Sequence, residues 1–438
     1  MSAFQAGIAT VDVTPPVGTW LAGFAGRSKG SEGIHDPLRS RALVLDDGAT
    51  RLALITNDII SVRYETIDEL KSMIFDECGL QPEQVMINCS HTHSGPAMRP
   101  AGSVYSTDEC YIRTYMRKIV GAVKMALSDL QPARLGMART DVQIGINRRE
   151  RTPEGGTKLG ENPDLPVAPY VDVLRVDAMD GSPRVILMSH ACHPVTRAAD
   201  NYMISADYPG RAQACVETVF VGAQAMFAQG CSGNINTVPV GGSFEDVHRL
   251  GTVLGGAAIK AAAMIETQCD ISLGSVFKAS GIPLQDPPPV AEAAEHFEQA
   301  KQALQRAEQE GDPTQVRIRT TLANWTEKIL ELSQAGETGR VFRYDLQAFK
   351  VGDWAIVGLP GEVFCEYQLN IDAASPFHRT MVLGVTNGCP SYIPIASEFE
   401  HGGYEVVDSM RYYGETQLDP ATEQVILSQT ADLLKQLI

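Results

Sequence analysis

The sequence predicts an α/β fold: a mixed β-sheet core flanked by helices, an active site at the strands' C-terminal ends, and an inserted helical hairpin. Three observations carry this. Short apolar runs paired across Asp-Gly turns recur through the first half of the chain. Several apolar runs end in Gly or Pro beside clusters of polar side chains. One later segment shifts to Ala, Glu and Gln. All 438 residues read as one domain, long enough to bury a sizeable core.

The elements follow in order. RALVLDDGATRLALITNDII, starting at Arg41, sets two apolar runs either side of Asp47-Gly48, the signature of a hairpin. A helix is predicted in YETIDELKSMIFDECG, where Ile67, Leu70, Met73 and Ile74 share one face and Gly79 supplies a C-cap. YVDVLRVDAMDGSPRVILMSH reads as a second hairpin, turned at Asp180-Gly181. Over 289–334 Gly is rare. Phe297, Ala300, Leu304 and Ala307 recur at helical spacing, as do Ile318, Leu322, Trp325, Ile329 and Leu332 beyond the break EGDP. Each stripe is narrow, so this antiparallel helical hairpin reads as a packing element or homodimer contact rather than a substrate lid.

Composition excludes several function classes. Apolar residues make up 44% and charged residues 20%, a soluble globular profile. No apolar run reaches the length of a spanning helix. The start MSAFQAGIATVDVTPP lacks a basic stretch followed by an apolar core, so no signal peptide is expected and a cytoplasmic location is. With 36 basic and 53 acidic residues the net charge is −17, which disfavours nucleic acid and anionic membrane surfaces. The nine cysteines form no CxxC pair and are expected to be reduced, so a Cys-based zinc site is not expected.

Five apolar runs end in polar clusters. VMINCSHTHSGP ends in His91 and His93, and VILMSHACHPVT in His190 and His193. AMFAQGCSGNINT ends in Ser232, Asn234 and Asn236, WAIVGLPGEVF in Glu362, and MVLGVTNGCPSYIP in Asn387, Ser391 and Tyr392. Binding residues in open α/β sheets gather beyond the carboxyl ends of strands, so the five clusters are expected to converge. In extended backbone His91 and His93 point to the same side. Four of nine histidines in two short motifs suit a metal such as zinc, which takes imidazole and carboxylate ligands. A catalytic pair, or plain hydrogen-bonded histidines, remain alternatives on pattern alone. Glu362 reads equally as a carboxylate near a helix N-terminus. Ser232 in GCSGN lacks the GxSxG elbow and reads as a turn serine, and Tyr404 as a loop aromatic. The pattern alone points to a metal-dependent hydrolase of unseen substrate.

The ordered set HTHSGP, HPVT, SADYPG, GCSGNIN, PGE and a late tyrosine pair, from about Gly7 to Tyr404, resembles the catalytic domain of the neutral/alkaline ceramidases. The resemblance implies a zinc-dependent amidase cutting the N-acyl bond of ceramide. It implies one Zn2+ per chain, held by His91, His193, Glu362 and Tyr392. His93 would stand near the metal without binding it, Arg148 would line the site, and Tyr404 would hydrogen-bond the substrate carbonyl. Ser232 aligns with the serine described as nucleophile. Attack by that serine, or by water with His93 as base, are both open. The chain departs from the family where it ends soon after Tyr404, so a C-terminal immunoglobulin-like domain is expected to be absent. It departs also in the hairpin over 289–334 and in the neighbours of Ser232. A soluble amide, ester or lactone substrate is the alternative within this chemistry, and a non-catalytic zinc scaffold the alternative outside it. His190 reads as structural, with support of His193 as the alternative; Asp58 is a candidate to support the ligands, and Asp207 is a loop carboxylate with no assigned role.

Overall fold

Strands whose side chains are apolar on both faces need a packed layer on each side. The computed structural model, describing residues 4–98 and 108–438, meets this need with two stacked sheets. The larger contains β1 (Gln5–Asp12), β2 (Arg39–Asp46), β3 (Arg51–Asn57), β4 (Val85–Cys89), β5 (Gln131–Asp141), β6 (Tyr170–Ala178), β7 (Pro183–His190) and β8 (Gln224–Gln229). Their spatial order is β8-β7-β6-β5-β1-β2-β3-β4. The smaller sheet runs β9 (Leu273–Lys278), β10 (Leu346–Val351), β11 (Trp354–Gly358) and β12 (Arg379–Leu383), in chain order.

Alternation along the strands builds the layers. Leu43, Leu45, Leu174 and Met226 of the large sheet join Phe349, Ile356 and Met381 of the small one in a single core between the sheets. Ala42, Val44, Ala53 and Ile55 point the other way, onto α1 (Tyr64–Cys78) and α2 (Glu109–Ser128). Val173, Ile186 and Phe227 meet α3 (Asp207–Val219) and α4 (Phe244–Met264). Both expected hairpins form: Asp46 faces Arg51 across the first turn, and β6 pairs antiparallel with β7 through a bulge between Pro183 and Val185. Helix α1 ends as expected, with Gly79 at φ 72° donating its N–H to Phe75 O.

The segment at 289–334 is the expected helical hairpin, formed by α5 (Val290–Glu310) and α6 (Pro313–Ala335), with Asp312 capping α6. Its buried residues on α5 are Ala293, Ala300 and Ala307, seven apart, so small side chains bring the helices together. Phe297 and Leu304 sit only half-buried beside that seam. Helix α7 (Cys365–Ala374), a short α8 (Met410–Tyr413) and α9 (Thr422–Lys435) follow, and α7 and α9 cover the outer face of the small sheet.

Within the two stacked sheets, among the described residues, three strand pairs are parallel: β3/β4, β7/β8 and β11/β12. The carboxyl ends of β4, β8 and β12 are stapled by one buried side chain. Asn88 Nδ2 donates to Gln229 O (3.2 Å) and Gly384 O (2.8 Å), while its Oδ1 accepts from Gln229 N (2.8 Å). Asn387 repeats the device at φ 56°, its N donating to Ile87 O (2.7 Å) and its Oδ1 accepting from Ile87 N (3.0 Å). Three of the five strand ends are thus joined by asparagine side chains bonded to backbone.

Candidate metal and catalytic centre

Just beyond β4 the chain enters the left-handed region at His91, φ 67°, a conformation that non-glycine residues seldom adopt. The turn sends the His91 ring inward. Its Nδ1–H donates to Ile60 O at 2.8 Å. His193, after β7, donates its Nδ1–H to Ser232 O at 2.6 Å. These bonds fix the tautomers, so each Nε2 carries a lone pair. Both face Glu362 Oε2, at 3.2 Å from His91 and 3.0 Å from His193. Glu362 reaches this point because Gly361, at φ +90°, makes the turn before it; a Cβ there would meet Ser391 O at 2.6 Å. A two-residue parallel bridge then sets Glu362 beside Tyr392.

Three lone pairs meeting at one point repel one another, and a cation among them removes the repulsion. Imidazole nitrogen and carboxylate oxygen are also the atom types that zinc prefers. The residues present therefore fit a metal. A ring nitrogen from each of His91, His93 and His193 lies within 4.8 Å of the others, and all three residues are buried. This group could hold a metal ion. His93 Nε2 approaches His91 Nε2 to 3.4 Å, and His93 Nδ1 has no hydrogen-bond partner. Gly23, at φ +91°, backs the ring; a Cβ at that position would sit 2.3 Å from His93 Nδ1.

Burial holds His93 well below its ordinary pKa, with the charges of His91 and His193 acting in the same direction. Burial and Arg148 push His193 down to about 4. For Glu362 burial works upward, but the charge that His91 and His193 carry when protonated outweighs it and holds the carboxyl well below its usual range. The Tyr392 phenol is pushed far up by burial and then by the Glu362 charge, with Arg148 opposing. The Arg148 guanidinium lies 5.3 Å from the Tyr392 ring centroid. Its Nε donates to Glu405 (2.7 Å) and its Nη1 to Asn236 (3.2 Å), while Nη2 has no partner. The Tyr404 ring stands 5.6 Å from that of Tyr392. Ser232 is buried, and Gln229 Nε2 donates to its Oγ at 2.6 Å.

All eight residues singled out from the sequence are linked through these contacts. The supporting candidates fare differently. Asp58 turns away, accepting from Arg39 N (3.0 Å) and Gln213 Nε2 (3.4 Å) and pairing with Arg41 at 3.5 Å; the carbonyl two residues on, Ile60 O, is what orients His91. His190 donates to Tyr170 O at 2.7 Å and has a structural part. Asp207 clamps the loop after His193, accepting from Arg197 N (3.2 Å) and Tyr208 N (2.6 Å). Asn234, Asn236 and Asn387 brace loops. Two participants escaped sequence reasoning. Tyr413 OH donates to Glu362 Oε1 at 2.6 Å, and the wholly buried Arg149 pairs with both Glu398 and Glu405, each at 2.6 Å. Neither stands at the end of an apolar run, the signal that marks the other site residues.

A family model described as neutral/alkaline non-lysosomal ceramidase, N-terminal, matches residues 4–239, more than half of the chain. The chain is similar to neutral ceramidases A and B of Dictyostelium discoideum, 27% identical over 227 and 226 residues, which is 48% of this chain and 31% of each relative. It is similar also to the neutral ceramidase of Mycobacterium tuberculosis, 25% identical over 225 residues, 48% of this chain and 35% of that one. The match spans about a third of the length of these relatives. The fold resembles the crystal structure of neutral ceramidase from Pseudomonas aeruginosa, with TM-score 0.76 and 20% identity over 99% of this chain and 74% of that one. A ceramidase complexed with C2 is alike at TM-score 0.75 and 18% identity, over 99% and 75%. The family match takes in His91, His93, Arg148, His193 and Ser232, and the likeness of fold extends to the strands that deliver Glu362 and Tyr392. Sequence motifs, family model and fold agree, and the chain belongs to the neutral/alkaline non-lysosomal ceramidase family.

Proposed function

We propose that this chain is a zinc-dependent hydrolase of the amide bond in an N-acyl substrate, with ceramide as the substrate to which its relatives' names point. One observation carries the reading: two imidazole nitrogens with fixed tautomers and one carboxylate oxygen face a common point. His91, His193, Glu362 and Tyr392 would hold one Zn2+. When bound, zinc supplies Lewis-acid polarisation and makes a nucleophile available at neutral pH.

The remaining roles fall to the chain itself. His93 is the base. Of the three histidines it alone has an Nδ1 without a carbonyl partner, so neither ring nitrogen is committed to holding structure. It takes the proton of the attacking group and returns it to the leaving nitrogen. Arg148 keeps Nη2 free of partners while Nε and Nη1 are tied down, which suits an N–H aimed at a developing oxyanion. Tyr404 stands beside it as a second donor. Losing one such donor costs on the order of 2.7–4 kcal/mol of transition-state stabilisation. Ser232 as nucleophile would give an acyl-enzyme, and Gln229 would then orient its Oγ. Hydroxylamine added during turnover diverts acyl product on the serine route only.

The test is fatty-acid release from a short-chain ceramide by zinc-loaded protein, beside His91→Ala. Release by the wild type and none by the variant is expected. Protein that holds one zinc per chain and releases nothing would turn the assignment to a soluble N-acyl amide. Protein that holds no zinc would overturn it.

A further inference from the structure

We propose that Tyr413 is a positioning residue for the metal centre: its hydroxyl, bonded to Glu362 Oε1, turns the other carboxylate oxygen towards His91 and His193. This rests on the reading of Glu362 as a zinc ligand. A carboxylate has two oxygens and about four acceptor directions, and left alone it rotates. Here the two oxygens are divided. Oε1 accepts from Tyr413 at 2.6 Å, and Oε2 lies 3.0–3.2 Å from the two imidazole nitrogens. The half-buried Tyr413 ring packs beside Tyr392, with centroids 6.4 Å apart, which limits the freedom of the hydroxyl to leave.

The position of Tyr413 is in turn set by the helical hairpin. Tyr413 ends α8, and the two residues after it are gripped by α6. Lys328 Nζ donates to Gly414 O at 2.5 Å, and Trp325 Nε1 to Glu415 O at 2.9 Å. The hairpin is therefore a buttress whose effect reaches the metal through a single phenol. Partners that orient metal ligands are worth 10–100-fold in metal affinity.

The experiment is zinc affinity by competition with a chromophoric chelator, on wild type, His91→Ala, Tyr413→Phe and Trp325→Phe, with thermal melting of each metal-free protein alongside. Tyr413→Phe is expected to bind zinc about 10–100-fold more weakly while its metal-free melting point holds. Trp325→Phe keeps the ring packing, loses the N–H donor, and is expected to weaken zinc in the same direction. Wild-type affinity in Tyr413→Phe overturns the inference. If Tyr413→Phe does not fold, Trp325→Phe decides: unchanged affinity there overturns it. Failure of the underlying reading looks different, because wild type would then bind no zinc, or His91→Ala would bind it as well as wild type.

Discussion

At the scale of single residues, the buried arginines behind the centre are paired with buried carboxylates. Arg149 shows what removing one entails. It is fully buried and neutralises Glu398 and Glu405 together. Arg149→Ala leaves both carboxylates inside without their shared cation, and is expected to cost about 3–5 kcal/mol in a urea melt. Turnover per folded molecule, measured separately, should fall as well, because Glu405 also pairs with Arg148 and loses its second anchor. His190 gives a pH test outside the metal ligands. Burial holds it down at about 4, against 6.5 for the free side chain. Below pH 6.5 the unfolded chain takes up a proton that the native state refuses. Its contribution is therefore complete above pH 6.5 and is lost as pH falls through about 4, on the order of 3 kcal/mol. His190→Asn keeps a donor for Tyr170 O and removes the titration. Stability of the metal-free variant should fall less steeply between pH 6.5 and 4 than that of wild type. Parallel slopes would show that His190 titrates normally.

At the scale of elements, the three strand ends that meet at Asn88 are held by a side chain that makes backbone-like bonds. Asn88→Ala strands buried donors and acceptors on β8 and on the turn after β12. It should destabilise the protein by about 3 kcal/mol or more, at 1–3 kcal/mol per unsatisfied group, and loosen zinc as the His91 turn shifts. Both readouts, urea midpoint and chelator competition, should move together. Elements of this kind explain what the sequence could show. Hairpins turned by Asp-Gly, α1 with its glycine cap, and the Ala-rich hairpin are local patterns, and the sequence shows them at nearly the observed boundaries. The two histidine motifs were legible because a strand end followed by Gly or Pro is also local. Asn88 lies inside the same short motif as His91, yet nothing local distinguishes an asparagine that staples three strands. Asp58 was misplaced for a related reason: the backbone beside it, not its carboxylate, serves the site. Tyr413 and Arg149 act on residues 51 and about 250 positions away, and such pairings become visible only once the sheets are stacked.

At the scale of the whole molecule, two sheets share one core and present their carboxyl ends to one place. Metal that binds the folded state alone stabilises it by mass action, about 2.7 kcal/mol at a hundredfold excess over the dissociation constant. Chelator should accordingly lower the thermal midpoint, and added zinc should raise it in a concentration-dependent way. A midpoint indifferent to both would argue against binding at this centre. The spacing of the ligands has a further consequence. His91 and His193 follow strands of the large sheet, whereas Glu362 and Tyr392 follow strands of the small one and pair with each other in a bridge of their own. Neither sheet carries a complete set. The strands of the large sheet alone would offer imidazoles without the carboxylate that completes the proposed set. The proposed ligand set is therefore complete only where the two sheets are docked on each other.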